Sequence, residues 1–363
     1  MVRSHLHWFS DTSERPNGII LGVTTLDHSL SRRRFLRQSF IFSAAAALRP
    51  FTSFATIDKS SPNPHAAHAL MIGDWGDDRH LESQTSVARA MAAYARQYRL
   101  KQDALFLLGD NFYGEFPGGV NCPRFRTDFE EMYPKDVFDC PAYAVPGNHD
   151  YEARPEIKFQ SQLAYAARGN TRWTEPAQWY SYKFPLHNPI ATVIALDSNM
   201  PFPDGKLTHG FTHVMTEEQR KQQLEWFKAE LAKPLTTPFR IVIAHHPIFS
   251  NGPHGDHKVL IADWEPLLRE HEVHLYLAGH DHDLQHLEFE GHPTSFFLSG
   301  GGGADLYNER NEVVQRGPFF NKVHGFSHLE ATEKLLTLRH LDTDGKIIHA
   351  FTKSPDGKVT ILA

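Results

Sequence analysis

The sequence is poor in cysteine: Cys122 and Cys140 are the only two in 363 residues. So few exclude a disulfide-built scaffold. They leave room for one loop-closing bridge, or for two unpaired thiols, and the bridge is expected if the chain reaches an oxidising compartment. Long apolar runs are lacking too. The run Phe40–Leu48 falls well short of the roughly 20 residues that span a bilayer, so no membrane span is expected. A basic stripe is also missing beyond residue 55. The formal charge is −6, and the first 55 residues hold seven Arg against three acids, which leaves −10 on the remainder. Binding of long nucleic acid needs clustered Lys and Arg to neutralise phosphates, so that class is excluded. No internal repeat is visible.

Histidine is abundant, at 24 residues. Ahead of the globular part, Ser31-Arg32-Arg33-Arg34-Phe35-Leu36-Arg37 precedes the apolar, Ala-rich run Phe40–Leu48, and Ser53-Phe54-Ala55 offers a small-x-small cleavage site. Basic region, short apolar core and small residues in that order read as a signal peptide. The Arg pair makes it similar to a twin-arginine signal, the alternative being a basic tail. Residues 1–55 are therefore expected to be a tail and export signal, and 56–66 a polar, Pro-containing linker. A single catalytic domain is expected over 67–363. The expected location is periplasmic or secreted, reached through the twin-arginine export machinery.

Apolar runs of strand length recur at Ala69–Ile72, Ala104–Leu108, Tyr143–Val145, Thr192–Leu196, Ile241–Ala244 and Val273–Leu277. Each is bounded by Gly, Pro or Asp, as buried strands are. Val87, Met91, Tyr94 and Tyr98 repeat at helical spacing, and Leu224, Phe227 and Leu231 do so behind a Thr216-x-x-Gln219 capping box. Phe296–Leu298, Ser327–Glu330 and Leu335–Leu341 add strands with no helices between them. The order predicts an α/β fold: a four-layer αββα sandwich of two mixed sheets flanked by helices. In open sheets ligands bind beyond the carboxyl ends of strands.

Polar residues gather at those ends. The strands are followed by Gly73-Asp74-Trp75-Gly76, Gly109-Asp110-Asn111-Phe112-Tyr113, Gly147-Asn148-His149-Asp150, His245-His246-Pro247 and Gly279-His280-Asp281-His282. Glycine lets the backbone turn sharply beside a ligand. Carboxylate, imidazole and amide donors together suit iron, manganese or zinc better than magnesium or calcium. Two cations about 3.5–4 Å apart, held by a bridging carboxylate, hydrolyse phosphate esters.

These five blocks resemble the metallophosphoesterase signature. The tyrosine three residues after the second aspartate, Tyr113, makes them similar to the purple acid phosphatases, especially the small tartrate-resistant type. The resemblance runs from about Ala69 to Gly303. It implies that Asp74, Tyr113 and His282 bind a ferric ion and that Asp110 bridges. Asn148, His245 and His280 would bind a divalent iron, zinc or manganese. It further implies that His149 and His254 serve substrate and leaving group, with Asp150 orienting His149. A metal-bound hydroxide would attack phosphate monoesters with an acid optimum.

His246, His257 and His286 are read as surface or supporting residues, Asp197 as structural, 199–213 as a candidate lid, and Gly300–Gly303 as a tight backbone passage. The expected partners are small phosphate monoesters, and the expected state is a monomer. The rival readings are a phosphodiesterase or nucleotidase of the same superfamily and, more remotely, a metal-binding surface protein without turnover.

Overall fold

A computed structural model describes residues 61–152, 157–201, 213–310 and 316–362. The export-signal expectation and most of the 199–213 loop lie outside the described residues. The strands, in chain order, are β1 (Ala67–Ile72), β2 (Ala104–Leu107), β3 (Ala142–Ala144), β4 (Trp173–Thr174), β5 (Tyr180–Phe184), β6 (Ala191–Ala195), β7 (Phe239–Ile243) and β8 (Leu275–Ala278). They continue as β9 (Leu284–Leu287), β10 (Ser295–Ser299), β11 (Phe319–Asn321), β12 (Gly325–Ala331), β13 (Leu336–Asp342), β14 (Ile347–Lys353) and β15 (Val359–Ile361). The α-helices are α1 (Leu81–Tyr98), α2 (Lys158–Ala166), α3 (Glu217–Leu231), α4 (Lys258–Asp263) and α5 (Glu265–Glu270).

Two mixed sheets result. One has eight strands in the order β15-β14-β13-β12-β1-β2-β3-β4, and the other seven in the order β11-β9-β10-β8-β7-β6-β5. Within the first, β1 to β4 run parallel. Within the second, β6, β7, β8 and β10 run parallel.

Side chains alternate across a strand, and that alternation builds three apolar layers. On β1, Ala69 and Met71 face the other sheet, packing with Ile241 and Ile243 of β7. Leu70 and Ile72 face outward against Val87, Met91 and Tyr94 of α1. On the far side, Val242 of β7 packs against Phe227 and Leu231 of α3. The αββα sandwich is therefore present. The Thr216 box also forms, with Thr216 Oγ1 accepting from the Gln219 amide at 3.2 Å and Gln219 Oε1 accepting from the Thr216 amide at 2.8 Å.

One expectation fails. Cys122 and Cys140 form no bridge; both are free and buried, packed into the apolar layer under α1. Burial pushes the Cys140 thiol up to about 12 and raises that of Cys122. Each thiol serves as a small apolar filler there. Among the described residues no helix is long and apolar enough to cross a membrane.

Candidate metal centre

The carboxyl ends of β1, β2 and β3 in one sheet meet those of β7 and β8 in the other. Asp74, Asp110 and His280 each sit in the left-handed backbone region, with φ of 58°, 49° and 71°. That conformation costs a non-glycine residue on the order of 1–2 kcal/mol and clusters at functional sites. It turns the side chains inward immediately past the strand.

Glycines let these turns close on one another. A Cβ on Gly147 would lie 2.2 Å from both the amide nitrogen and Oδ1 of Asp110. One on Gly300 would lie 2.0 Å from the Asp281 carbonyl and 2.9 Å from Asp74 Oδ2. The Gly300–Gly303 stretch is thus a close backbone passage beside the site.

Seven predicted residues converge in two groups. In the first, Tyr113 Oη lies 3.4 Å from Asp74 Oδ1 and 3.2 Å from His282 Nε2, and His282 Nε2 is 3.4 Å from Asp74 Oδ1. In the second, His245 Nε2 lies 3.0 Å from Asn148 Oδ1 and 3.3 Å from His280 Nδ1. Asp110 stands between them, its Oδ2 3.3 Å from His245 Nε2. Its Oδ1 accepts the His149 amide at 2.7 Å, while Oδ2 faces the cluster as the ion-pair partner of His245. Carboxylates and imidazoles buried this close together are costly without compensating charge, and a bound cation supplies it. Asp74, Asp110 and His245 offer ligand atoms within 4.8 Å of one another, as do His245, His246 and His280.

The supports of the imidazoles are equally specific. His245 Nδ1 bonds the Leu108 carbonyl at 2.9 Å and His282 Nδ1 the Asp305 carbonyl at 2.6 Å, so each turns Nε2 to the centre. Burial alone would raise the Asp110 carboxyl, but His245 and His149 outweigh it and hold it well below the usual range. Burial would lower His245; Asp110 and Asp74 instead raise it to about 9. His280, buried among other imidazoles, is pushed well below its ordinary value.

His149 and His254 flank this cluster, held in different ways. His254 Nδ1 lies 2.6 Å from Asp281 Oδ1, and its ring is 4.2 Å from that of His280. The ring of His149 lies against that of Tyr113, centroids 3.9 Å apart and tilted by 32°.

Asp150 does not orient His149, contrary to expectation. Its oxygens accept from the amides of Asn111 and Phe112, each at 3.1 Å, the Gly147 amide at 2.8 Å and Gln162 Nε2 at 2.8 Å. Asp150 thereby ties the loop after β2 to the loop after β3 and fixes Asp110 against Asn148. The group beside the His149 ring is Glu152, Oε1 2.8 Å from Nδ1.

Other residues escaped sequence reading. Asp281 is buried behind His254, and Tyr307 stacks on His282 at 4.1 Å and 12°. The alternation in Gly-His-Asp-His was a signal that Asp281 faces away from the two histidines; nothing in sequence marked Tyr307. Of the two alternatives read for His246 and His286, surface or supporting, the surface one fails for both. His246 is buried with Nδ1 2.8 Å from Ser198 Oγ, and His286 stacks on Phe351 between the sheets at 3.8 Å. Asp197 is buried and structural: it accepts from Tyr151 Oη at 2.5 Å and Gln178 Nε2 at 2.8 Å.

Residues 67–284 match the calcineurin-like phosphoesterase family. The chain is 30% identical over 308 residues to purple acid phosphatase 4 of Arabidopsis thaliana, covering 81% of this chain and 86% of that protein. It is 28% identical over 332 residues to tartrate-resistant acid phosphatase type 5 of Sus scrofa, covering 87% and 94%. Among solved structures, GAP50, the anchor in the inner membrane complex of Plasmodium, superposes with a TM-score of 0.64 at 22% identity, covering 78% of this chain and 87% of that one. That last likeness concerns the fold alone.

Proposed function

The chain belongs to the calcineurin-like phosphoesterases, and within them to the purple acid phosphatases; from that premise we propose that it hydrolyses phosphate monoesters with a ferric and a divalent metal ion and an acid optimum. The observation that carries this reading is the buried donor set of Asp74, Asp110 and His245, whose ligand atoms lie within 4.8 Å of one another, with Tyr113 Oη 3.4 Å from Asp74 Oδ1. The residues fit such a pair. Asp74, Tyr113 and His282 would hold the ferric ion, Asn148, His245 and His280 the divalent iron, zinc or manganese, and Asp110 would bridge.

A phenol buried at 2% exposure among carboxylates stays protonated on its own, raised by burial and by Asp110 and Asp74. Only a strong Lewis acid favours its phenolate, which supports iron(III) at that position. When bound, the pair supplies Lewis acidity toward phosphate oxygens and activates water for in-line attack.

The chain's own residues position and protonate the substrate. His149 delivers a proton to the departing alkoxide oxygen, and His254, oriented by Asp281, donates a hydrogen bond to phosphate. Asp150 holds the two loops at fixed separation. Arg32, Arg33 and the apolar run Phe40–Leu48 support export of the folded protein by the twin-arginine route, with small phosphate monoesters met outside the cytoplasm.

The test compares a phosphate monoester with its diester across pH 4 to 8, using metal-loaded wild type and His149→Ala. The reading expects monoester turnover that is greatest at acid pH and falls on the order of 100-fold in the variant. Preferential diester turnover would favour the phosphodiesterase alternative, and no turnover at any pH would end the hydrolase reading.

A further inference from the structure

The turn that carries His149 is a short 3₁₀ segment, His149–Tyr151, with Glu152 as its terminal residue. In 3₁₀ geometry residues three apart eclipse. That is why Glu152, and not the adjacent Asp150, faces the His149 ring. Glu152 uses both oxygens: Oε1 lies 2.8 Å from His149 Nδ1, and Oε2 accepts from the Gly114 amide at 2.7 Å and from Lys158 Nζ at 3.2 Å.

Lys158 is 2% exposed, and a buried ammonium needs an anion and further acceptors. Its anion is Glu152. Its other acceptors are the carbonyls of Phe112 at 3.0 Å and of His149 itself at 2.9 Å. One ammonium therefore ties the carboxylate, the backbone of His149 and the loop that carries Tyr113 into one unit. With its ring against that of Tyr113, centroids 3.9 Å apart and tilted by 32°, the imidazole is confined on two sides.

We propose that Glu152, anchored by buried Lys158, is the positioning residue for His149, holding its ring with Nδ1 toward the carboxylate so that Nε2 serves the leaving oxygen. The proposal rests on the phosphatase reading above and deepens it. The contacts of Glu152 are to His149, Gly114 and Lys158, so its action runs through His149. A carboxylate at this place orients the imidazole and selects its tautomer. Loss of that orientation weakens proton delivery, which matters most when the departing alkoxide is a strong base. With a weakly basic leaving group the P–O bond breaks with little help, so orientation matters little.

The experiment measures kcat/KM for phenyl phosphate and for 2,4-dinitrophenyl phosphate in metal-loaded wild type, Glu152→Ala and Glu152→Gln, and again with His149→Ala in each. Glu152→Ala is expected to lower kcat/KM for phenyl phosphate on the order of tenfold and for the dinitrophenyl ester less than about twofold. Glu152→Gln keeps an acceptor for Nδ1 and recovers part of the loss. In the His149→Ala background the Glu152 effect disappears, because the pair acts as one unit. Equal losses on both esters, or a loss that persists without His149, would overturn the proposal. A wild type inert toward both esters overturns the phosphatase reading and this proposal together. An active wild type with unselective variants overturns this proposal alone.

Discussion

Gly147→Ala adds a single methyl group at the tightest point of the candidate centre. The new Cβ would sit 2.2 Å from the Asp110 amide nitrogen, 2.2 Å from its Oδ1 and 2.8 Å from its Cγ, whereas ordinary van der Waals contact begins at 3.4 Å. Neither neighbour is a flexible side-chain end. The nitrogen is backbone, and Oδ1 is held by the His149 amide at 2.7 Å. Relief therefore requires the loop after β2 and the loop after β3 to part by about 1 Å, a misplacement that costs on the order of 100-fold in rate where geometry is critical. The same parting moves Asp110 away from Asn148, so metal content should fall as well. Turnover of a phosphate monoester and metal stoichiometry would be measured on folded protein. Gly169→Ala serves as control: φ is +71° with nothing within 4 Å of the added atom, so it should cost about 1 kcal/mol of stability and no activity. Wild-type turnover and metal content in Gly147→Ala would refute the reasoning.

Two further perturbations probe the scaffold. Lys353 is 1% exposed, donates to Ser295 Oγ at 2.8 Å, and burial lowers it from 10.5 to about 8. The native state then holds fewer protons than the unfolded chain between about pH 8 and 10.5, so stability should rise with pH across that window, by at most about 3 kcal/mol. Lys353→Met should raise stability at pH 7 on the order of 1–3 kcal/mol and flatten that slope, as read from urea unfolding at pH 7 and 10; a less stable variant at pH 7 would contradict this. Thr216→Ala removes the helix cap of α3 and should cost about 1 kcal/mol in urea unfolding while leaving turnover unchanged.

Most metal-site candidates were legible because they lie within a few residues of the end of an apolar run, and Tyr113 through the family pattern. A buried strand aims its terminal loop at one place, so adjacency in sequence carries the spatial information. The supporting residues were not legible, since their partners are set by turn geometry and by contacts between distant segments. Asp150 follows His149 in sequence yet faces Asn111 and Gly147, and Glu152 takes its place only because a 3₁₀ turn eclipses residues three apart. The cysteine bridge was expected from proximity in sequence and compartment, but core packing claimed both thiols. Part of the histidine surplus also has another use. His286, His340 and His349 stack on Phe351, Phe297 and Phe319 between the sheets at 3.8, 3.8 and 4.5 Å. No local pattern distinguishes such a histidine from a ligand.

The central claim is a ferric–divalent pair with Tyr113 on the iron. Metal analysis joined to a visible spectrum of the as-isolated protein tests it most directly, with Tyr113→Phe alongside. The account predicts about two metal ions per chain, at least one of them iron, and a visible charge-transfer band that vanishes in Tyr113→Phe. A colourless protein without iron, or a band that survives the substitution, would contradict it.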